Sequence, residues 1–243
     1  MRLAAHERYT MIHGRKVIGI IGGMGPMATA DLFIKIVENT VAATDQEHLH
    51  VLIDNNTDIP DRTACILAGS DAPLGPMVES AKRLVDQGAD LLIIPCNTAH
   101  YFHGGVQAAV DVPVLNMPEI SAQYCADRGF STVALLSTAG TVRAKIYEPY
   151  FERLGIRLLH PSKVGIDNLM YLIYNEVKAG RTPHPERLYP ELMGLEEQGA
   201  QAFLLACTEL PLVFHDGGRV PFIDPTLLLA RAAVEAAGGK VKE

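Results

Sequence analysis

The chain of 243 residues repeats part of itself. The segment Leu84-Val85-Asp86-Gln87-Gly88-Ala89-Asp90-Leu91-Leu92-Ile93-Ile94-Pro95-Cys96 resembles Leu195-Glu196-Glu197-Gln198-Gly199-Ala200-Gln201-Ala202-Phe203-Leu204-Leu205-Ala206-Cys207, with the closing cysteines 111 positions apart. Each copy reads as a helix end, a Gln-Gly-Ala turn, a buried strand and a cysteine at the strand's carboxyl end, followed by small polar residues. Two half-molecules of similar plan are implied. Ligands of open α/β sheets bind at the carboxyl ends of parallel strands, so two such halves facing one another would bring both thiols into one cleft.

The rest of the chain fits that plan, because apolar runs of strand length alternate with longer segments of helical period, the pattern of parallel sheets covered by helices. Strands are expected at Lys16–Ile21, His48–Asp54, Leu91–Pro95, Val112–Leu115, Thr132–Leu136, Arg157–His160, Ala202–Ala206 and Val220–Ile223. Helices are expected at Thr29–Val41, Pro73–Gln87, Ser121–Arg128, Val142–Leu154, Ile166–Lys178, Pro185–Gln198 and Thr226–Ala237, and another near Pro60 or Asp61. Asp167 and Asp224 stand where N-caps are expected, Pro225 at a first helical position, and Gly180 where a helix would stop. The expected fold class is α/β with two similar lobes, residues 1–118 plus 222–243 forming one and 119–221 the other. A composition 48% hydrophobic and 20% charged supplies a sizeable core.

A formal charge of −7 disfavours a role in gripping nucleic-acid phosphates, so an anionic ligand would have to meet a local positive pocket. No apolar run reaches the roughly 18–20 residues of a membrane span. The stretch Met1 to Lys16 lacks the apolar centre of a signal peptide and reads as a loose extension, and the expectation is a soluble cytoplasmic protein. Cys65, Cys96, Cys125 and Cys207 form no CxxC pair and show no metal-ligand spacing; with His100 and His103 lacking a third ligand, no metal is assigned.

Three motifs bear chemistry. Gly22-Gly23-Met24-Gly25-Pro26 leaves a strand and enters a helix. It formally satisfies GxGxxA through Ala28, but Pro26 has no N–H and the acidic residue expected about 20 residues on arrives only at Asp54, so a tight turn that brings amides near a small anion fits as well. Cys96-Asn97-Thr98 and Cys207-Thr208-Glu209 place a cysteine at a strand-to-helix junction, where neighbouring amides favour a thiolate. Asp54 to Thr63 is a polar loop ending in Arg62, a cation in a first helical turn where the helix dipole disfavours it, which a carboxylate ligand would explain. Lys178 sits at a helix C-terminus, already a favourable place. Two opposed thiols suit a reaction in which a thiolate takes a proton from a carbon acid while a thiol delivers one to the opposite face, inverting the centre.

With these motifs the sequence resembles the aspartate/glutamate racemase family, most closely its cofactor-independent aspartate racemases. The resemblance rests on Ile20 to Pro26, Ile59-Pro60-Asp61-Arg62-Thr63, Pro95 to His100, Val177-Lys178-Ala179-Gly180, Ala206 to Glu209 and Asp224-Pro225-Thr226. It implies pseudo-twofold symmetry between the lobes, a site between them, an amino-acid substrate, no pyridoxal phosphate or other cofactor, and a homodimer. It further implies Cys96 and Cys207 as acid/base thiols, with Cys207 the base toward the L enantiomer and Cys96 toward the D. Met24, Asn97, Thr98 and Thr208 match positions contacting the substrate's carboxylate or amino group, and Arg62 and Lys178 match basic residues credited with carboxylate recognition. Glu209 would hold the ammonium group or orient Thr208. Aspartate ranks first as substrate, with glutamate or a broader set beside it, because one methylene is worth only about 1–3 kcal/mol of discrimination. Outside the superfamily, a dinucleotide-dependent oxidoreductase and a non-catalytic amino-acid binding protein stay open.

Overall fold

A computed structural model describes residues 14–215 and 218–243, so most of the N-terminal extension lies outside the described residues. In chain order the elements are β1 (Ile18–Gly22), α1 (Pro26–Asn39), β2 (Val51–Asn55), α2 (Arg62–Leu67), α3 (Leu74–Asp86), β3 (Leu91–Ile93), α4 (His103–Gln107), α5 (Met117–Asp127), β4 (Thr132–Ser137), α6 (Ala139–Arg143), α7 (Glu148–Arg153), β5 (Arg157–Leu159), α8 (Lys163–Tyr171), α9 (Tyr189–Glu197), β6 (Phe203–Ala206), β7 (Phe222–Ile223) and α10 (Pro225–Ala236). The strands form two parallel sheets, ordered β2-β1-β3 and β5-β4-β6-β7. A single parallel bridge from Leu92 to Val114 adds a fourth position to the first sheet. Both sheets then share one order, with β1 matching β4 and β3 matching β6.

The repeated sequence owes its form to identical local duties. Gly88 and Gly199 end their helices with φ of 103° and 97°, left-handed values that a side chain would strain. Two residues on, the Asp90 carboxylate accepts the Val17 amide at 2.8 Å, and the Gln201 side chain accepts those of Ser131 and Thr132 at 2.7 and 3.0 Å. Each side chain thereby pins the start of its lobe's central strand. The likeness extends to Val112-Pro113-Val114 and Val220-Pro221-Phe222, where the Pro113 and Pro221 carbonyls accept the Leu92 and Phe203 amides at 2.8 and 2.9 Å. Proline donates nothing to a ladder. The expected strand Val112–Leu115 is therefore only a bridge, and Val220–Ile223 shortens to Phe222–Ile223.

The inner strands β1, β3 and β6 are buried on both faces, as parallel sheets covered by helices require, while β2 and β5 are partly exposed. On one face of the first sheet, Ile18, Ile20, Leu91 and Ile93 pack against Leu32 and Ile36 of α1 and Leu229, Ala233 and Val234 of α10. The chain thus makes β7 in the second sheet and then returns a helix to the first, the crossing falling at Asp224. That residue caps α10 as expected, its carboxylate accepting the Thr226 amide at 2.8 Å. Asp167 does not cap a helix; it lies inside α8, whose N-cap is Ser162, accepting the Gly165 amide at 3.1 Å. The expected helix Val142–Leu154 is two, because Lys145 adopts φ 50° and Pro149 opens α7. The break turns Tyr147 inward, fully buried. The expected helix Ile166–Lys178 begins earlier and widens after Tyr171 into a π-helical turn, Leu172–Val177, that ends at Lys178.

Candidate active site

All nine residues singled out in the sequence, Met24, Arg62, Cys96, Asn97, Thr98, Lys178, Cys207, Thr208 and Glu209, line one cleft. The cleft between these side chains is narrow. Elements of both lobes meet there. Cys96 and Cys207 follow β3 and β6 at equivalent places, each nearly buried, so the duplication delivers two thiols to a common space. All four cysteines are free; Cys125 is a core residue of α5 whose thiol burial pushes up to about 12, and it takes no part in the cleft.

The two cleft sulfurs have unlike partners. The Cys207 thiol donates to Glu209 Oε2 at 3.0 Å, and the Thr208 hydroxyl donates to the same oxygen at 3.2 Å. Burial, reinforced by the Glu209 carboxylate, pushes the Cys207 thiol far above its ordinary value, although Lys178 pulls the other way. At neutral pH Cys207 holds its proton. Cys96 instead lies beside the Arg62 guanidinium: burial works against that cation, but the Cys96 sulfur, followed by Asp61 and Tyr174, outweighs burial and raises its pKa.

Arg62 opens α2 as the sequence suggested, but it is not a solvated surface cation. It is 9% exposed, and its terminal nitrogens donate to the carbonyls of Pro60 (3.0 Å), Ile59 (3.3 Å) and Met24 (3.0 Å), while Nε has no hydrogen-bond partner. Lys178, placed at the end of the π-helical turn, is ion-paired with Glu209. Burial lowers its pKa, but Glu209 and Cys207 prevail and raise it, so it stays charged. Glu209, 7% exposed, is no surface carboxylate: it gathers Cys207, Thr208 and Lys178.

The glycine turn serves packing. The Gly23 amide donates to the Thr29 hydroxyl at 2.9 Å, and a Cβ at Gly23, where φ is 89°, would lie 2.2 Å from the Asn56 carbonyl oxygen. That amide is therefore not free to hold an anion. A Cβ at Gly25 would meet Lys178 Nζ at 3.9 Å. His100 and His103 are not paired ligands: His100 Nδ1 is 2.9 Å from the Cys96 carbonyl and its Nε2 accepts the Met117 amide at 3.1 Å, while His103 Nε2 is 2.8 Å from the Val114 carbonyl. Among the described residues no group of three His, Cys, Asp or Glu side chains is placed to hold a metal.

Four lining residues were given no site role from the sequence: Asp61 and Thr63, which lie in the Ile59 to Thr63 motif, and Thr138 and Tyr174. Asp61 is the N-cap of α2, accepting the Ala64 amide at 2.7 Å, and its other oxygen accepts the Tyr174 hydroxyl from the opposite lobe at 3.1 Å. Thr63 and Thr98 of the first lobe meet Thr138 and Thr141 of the second in a buried hydroxyl cluster with separations of 3.0–3.2 Å. Thr138 follows β4 just as the glycine turn follows β1, a symmetry that could have found it. Tyr174 precedes Lys178 by four residues, the spacing of helix neighbours.

Fold and site together define a two-lobed α/β protein that offers paired thiols to a small molecule. The chain belongs to the Asp/Glu/hydantoin racemase family, whose profile matches residues 21–233, and is a racemase of that superfamily. It is similar to the aspartate racemase of Picrophilus torridus, with 31% identity, a TM-score of 0.82 and coverage of 93% of this chain and 96% of that one. It is also 26% identical over 229 residues to the broad-specificity amino-acid racemase RacX of Bacillus subtilis (strain 168), covering 90% of this chain and 96% of the relative. The glutamate racemase of Francisella tularensis, at 17% identity and a TM-score of 0.65, shares the fold. Among the described residues no helix is long and apolar enough to cross a membrane.

Proposed function

We propose that the protein interconverts L- and D-aspartate without a cofactor, using Cys96 and Cys207 as the two acid/base groups. The observation that carries this reading is the pair of thiols at equivalent ends of β3 and β6 in one cleft, one beside a guanidinium and the other holding its proton against a carboxylate. With D-aspartate bound, the Cys96 thiolate takes the α-proton and becomes a thiol. Cys207 gives its own proton to the opposite face and becomes a thiolate, and L-aspartate results. The reverse direction starts from the opposite protonation state, so exchange with solvent resets the pair between turnovers in one direction. Negative charge that builds on the α-carboxylate is met by the donors on the first-lobe wall, Asn97 and Thr98, and by Arg62. Lys178, with Glu209, and Thr208 serve the substrate's other polar groups, and Met24 closes the wall.

A broader amino-acid range is the second reading, and one observation favours it. Lys178 is paired with Glu209, and the terminal nitrogens of Arg62 with backbone carbonyls, so both lining cations already have partners before a second carboxylate arrives. The deciding experiment incubates purified protein, with no added cofactor, with L-aspartate, L-glutamate and a neutral amino acid in D₂O and measures chirality and α-deuterium. Formation of α-deuterated D-aspartate supports the proposal; turnover that needs pyridoxal phosphate would end it. The chain is further proposed to act as a homodimer, tested by sedimentation.

A further inference from the structure

The amide of Asn97 is held at one end only. Its Oδ1 accepts a hydrogen bond from the hydroxyl of Tyr147, a side chain of the second lobe that is fully buried. Its Nδ2 is buried with no hydrogen-bond partner, although Asn97 is 2% exposed and lines the cleft. A buried amide donor left unpaired costs about 1–3 kcal/mol, so such a group marks a place where a partner is missing. Tyr147 is not itself a lining residue. It sits behind the cleft wall, between α6 and α7, where the helix break at Lys145 turns it into the core.

We propose that Tyr147 is a positioning residue that fixes the Asn97 amide with its carbonyl turned away from the cleft and its NH₂ presented to a carboxylate of the bound amino acid. The phenol can donate only one proton, and an amide offers one acceptor end and one donor end. Engaging the acceptor end from behind leaves the donor end for the ligand. Because the hydroxyl comes from one lobe and the amide from the other, the donor is aimed only when the lobes are together. Ser121, the other hydroxyl beside Tyr147, donates to the Met117 carbonyl at 2.8 Å.

The inference rests on the proposed racemisation for its kinetic arm and has a binding arm that does not. In the kinetic arm, Tyr147→Phe, Asn97→Ala and the double variant are compared for kcat/KM toward L-aspartate, with thermal unfolding monitored on each. Tyr147→Phe is expected to lower kcat/KM about tenfold, the loss of roughly 1.4 kcal/mol, and to have little further effect once Asn97 is alanine. A purely structural role for Tyr147 would lower kcat/KM equally in both backgrounds, and that result overturns the proposal. In the binding arm, the side-chain amide protons of Asn97, identified by their absence in Asn97→Ala, are followed by NMR during titration with succinate, a dicarboxylate that cannot be racemised. They are expected to shift in the wild type and to shift much less in Tyr147→Phe; equal shifts in both overturn the proposal. A wild type that fails to racemise aspartate while its Asn97 amide still responds to succinate in the Tyr147-dependent manner would sink the functional reading and leave Tyr147's role standing.

Discussion

Acidification should destabilise this protein through one buried imidazole, and the size of the effect follows from its surroundings. The His100 ring is buried, with Nδ1–H directed at the Cys96 carbonyl and Nε2 occupied by the Met117 amide, so a second proton has to displace a hydrogen bond and bring a charge into the interior. Burial, abetted by neighbouring His103, lowers its pKa from 6.5 to about 4. In the unfolded chain the same side chain titrates near 6.5, so between those values the unfolded state binds more protons and stability must fall as pH falls. The slope approaches 1.4 kcal/mol per pH unit, giving a loss of about 2 kcal/mol between pH 7 and pH 5 and about 3 kcal/mol by pH 4. Urea unfolding at pH 5, 6 and 7 reads this directly when the wild type is compared with His100→Asn, which keeps a donor but does not titrate. The variant is less stable at pH 7, and the gap should close by about 2 kcal/mol at pH 5. Parallel pH profiles would refute the reasoning, because the imidazole would then be gaining its proton equally in both states.

Cys96→Ala and Cys207→Ala should each remove racemisation while leaving far-UV circular dichroism unchanged; wild-type turnover in either would dismiss the two-thiol assignment. Cys96→Ser should retain some exchange of the L-aspartate α-proton with solvent deuterium while forming no D-aspartate, and brisk exchange of both enantiomers would contradict one sulfur per face. Glu209→Gln should shift the pH dependence of Cys207 alkylation to lower pH, because it removes a carboxylate that raises the thiol pKa and frees Lys178 to lower it; a shift upward would mean that the carboxylate is not what holds the proton on Cys207. Gly140→Ala should cost about 1–3 kcal/mol, since its Cβ would stand 2.9 Å from the Thr63 Cα and wedge the lobes apart; unchanged unfolding midpoints would show that the contact yields.

The duplicated helix, turn and strand made the two-lobed plan legible, since period and glycine placement are local matters that the sequence states openly. What it hid were features set by single backbone breaks and by contacts across lobes. Val142 to Leu154 has helical period throughout, and only the left-handed Lys145 and the start of a new helix at Pro149 divide it. With that division Tyr147 points into the core, where a continuous helix would have carried it elsewhere. Arg62 was legible as a cation in an unfavourable first-turn place, but its tie to three backbone carbonyls was not, because those carbonyls come from the turns around Met24 and Pro60. Lys178 gave no signal by spacing, as a lysine at a helix end needs no further reason, and its pairing with Glu209 exists only once β6 brings that carboxylate beside it.

Equal halves alone would not make a two-base site. If both cysteines had the surroundings of Cys207, burial and a facing carboxylate would keep both protonated and no base would be present. If both lay beside an arginine, no carboxylate would hold a proton on either sulfur as Glu209 does on Cys207, and a pair of thiolates in one small cleft would be opposed by like-charge repulsion. The chain escapes this symmetry immediately after the repeated strands: Cys96 is followed by Asn97-Thr98, with Arg62 supplied from α2, whereas Cys207 is followed by Thr208-Glu209, with Lys178 supplied from the π-helical turn. Repetition places two sulfurs, and divergence in the next two residues and in the nearest cation lets one proton be shared between them, so that under the proposed mechanism the site always holds one acid and one base.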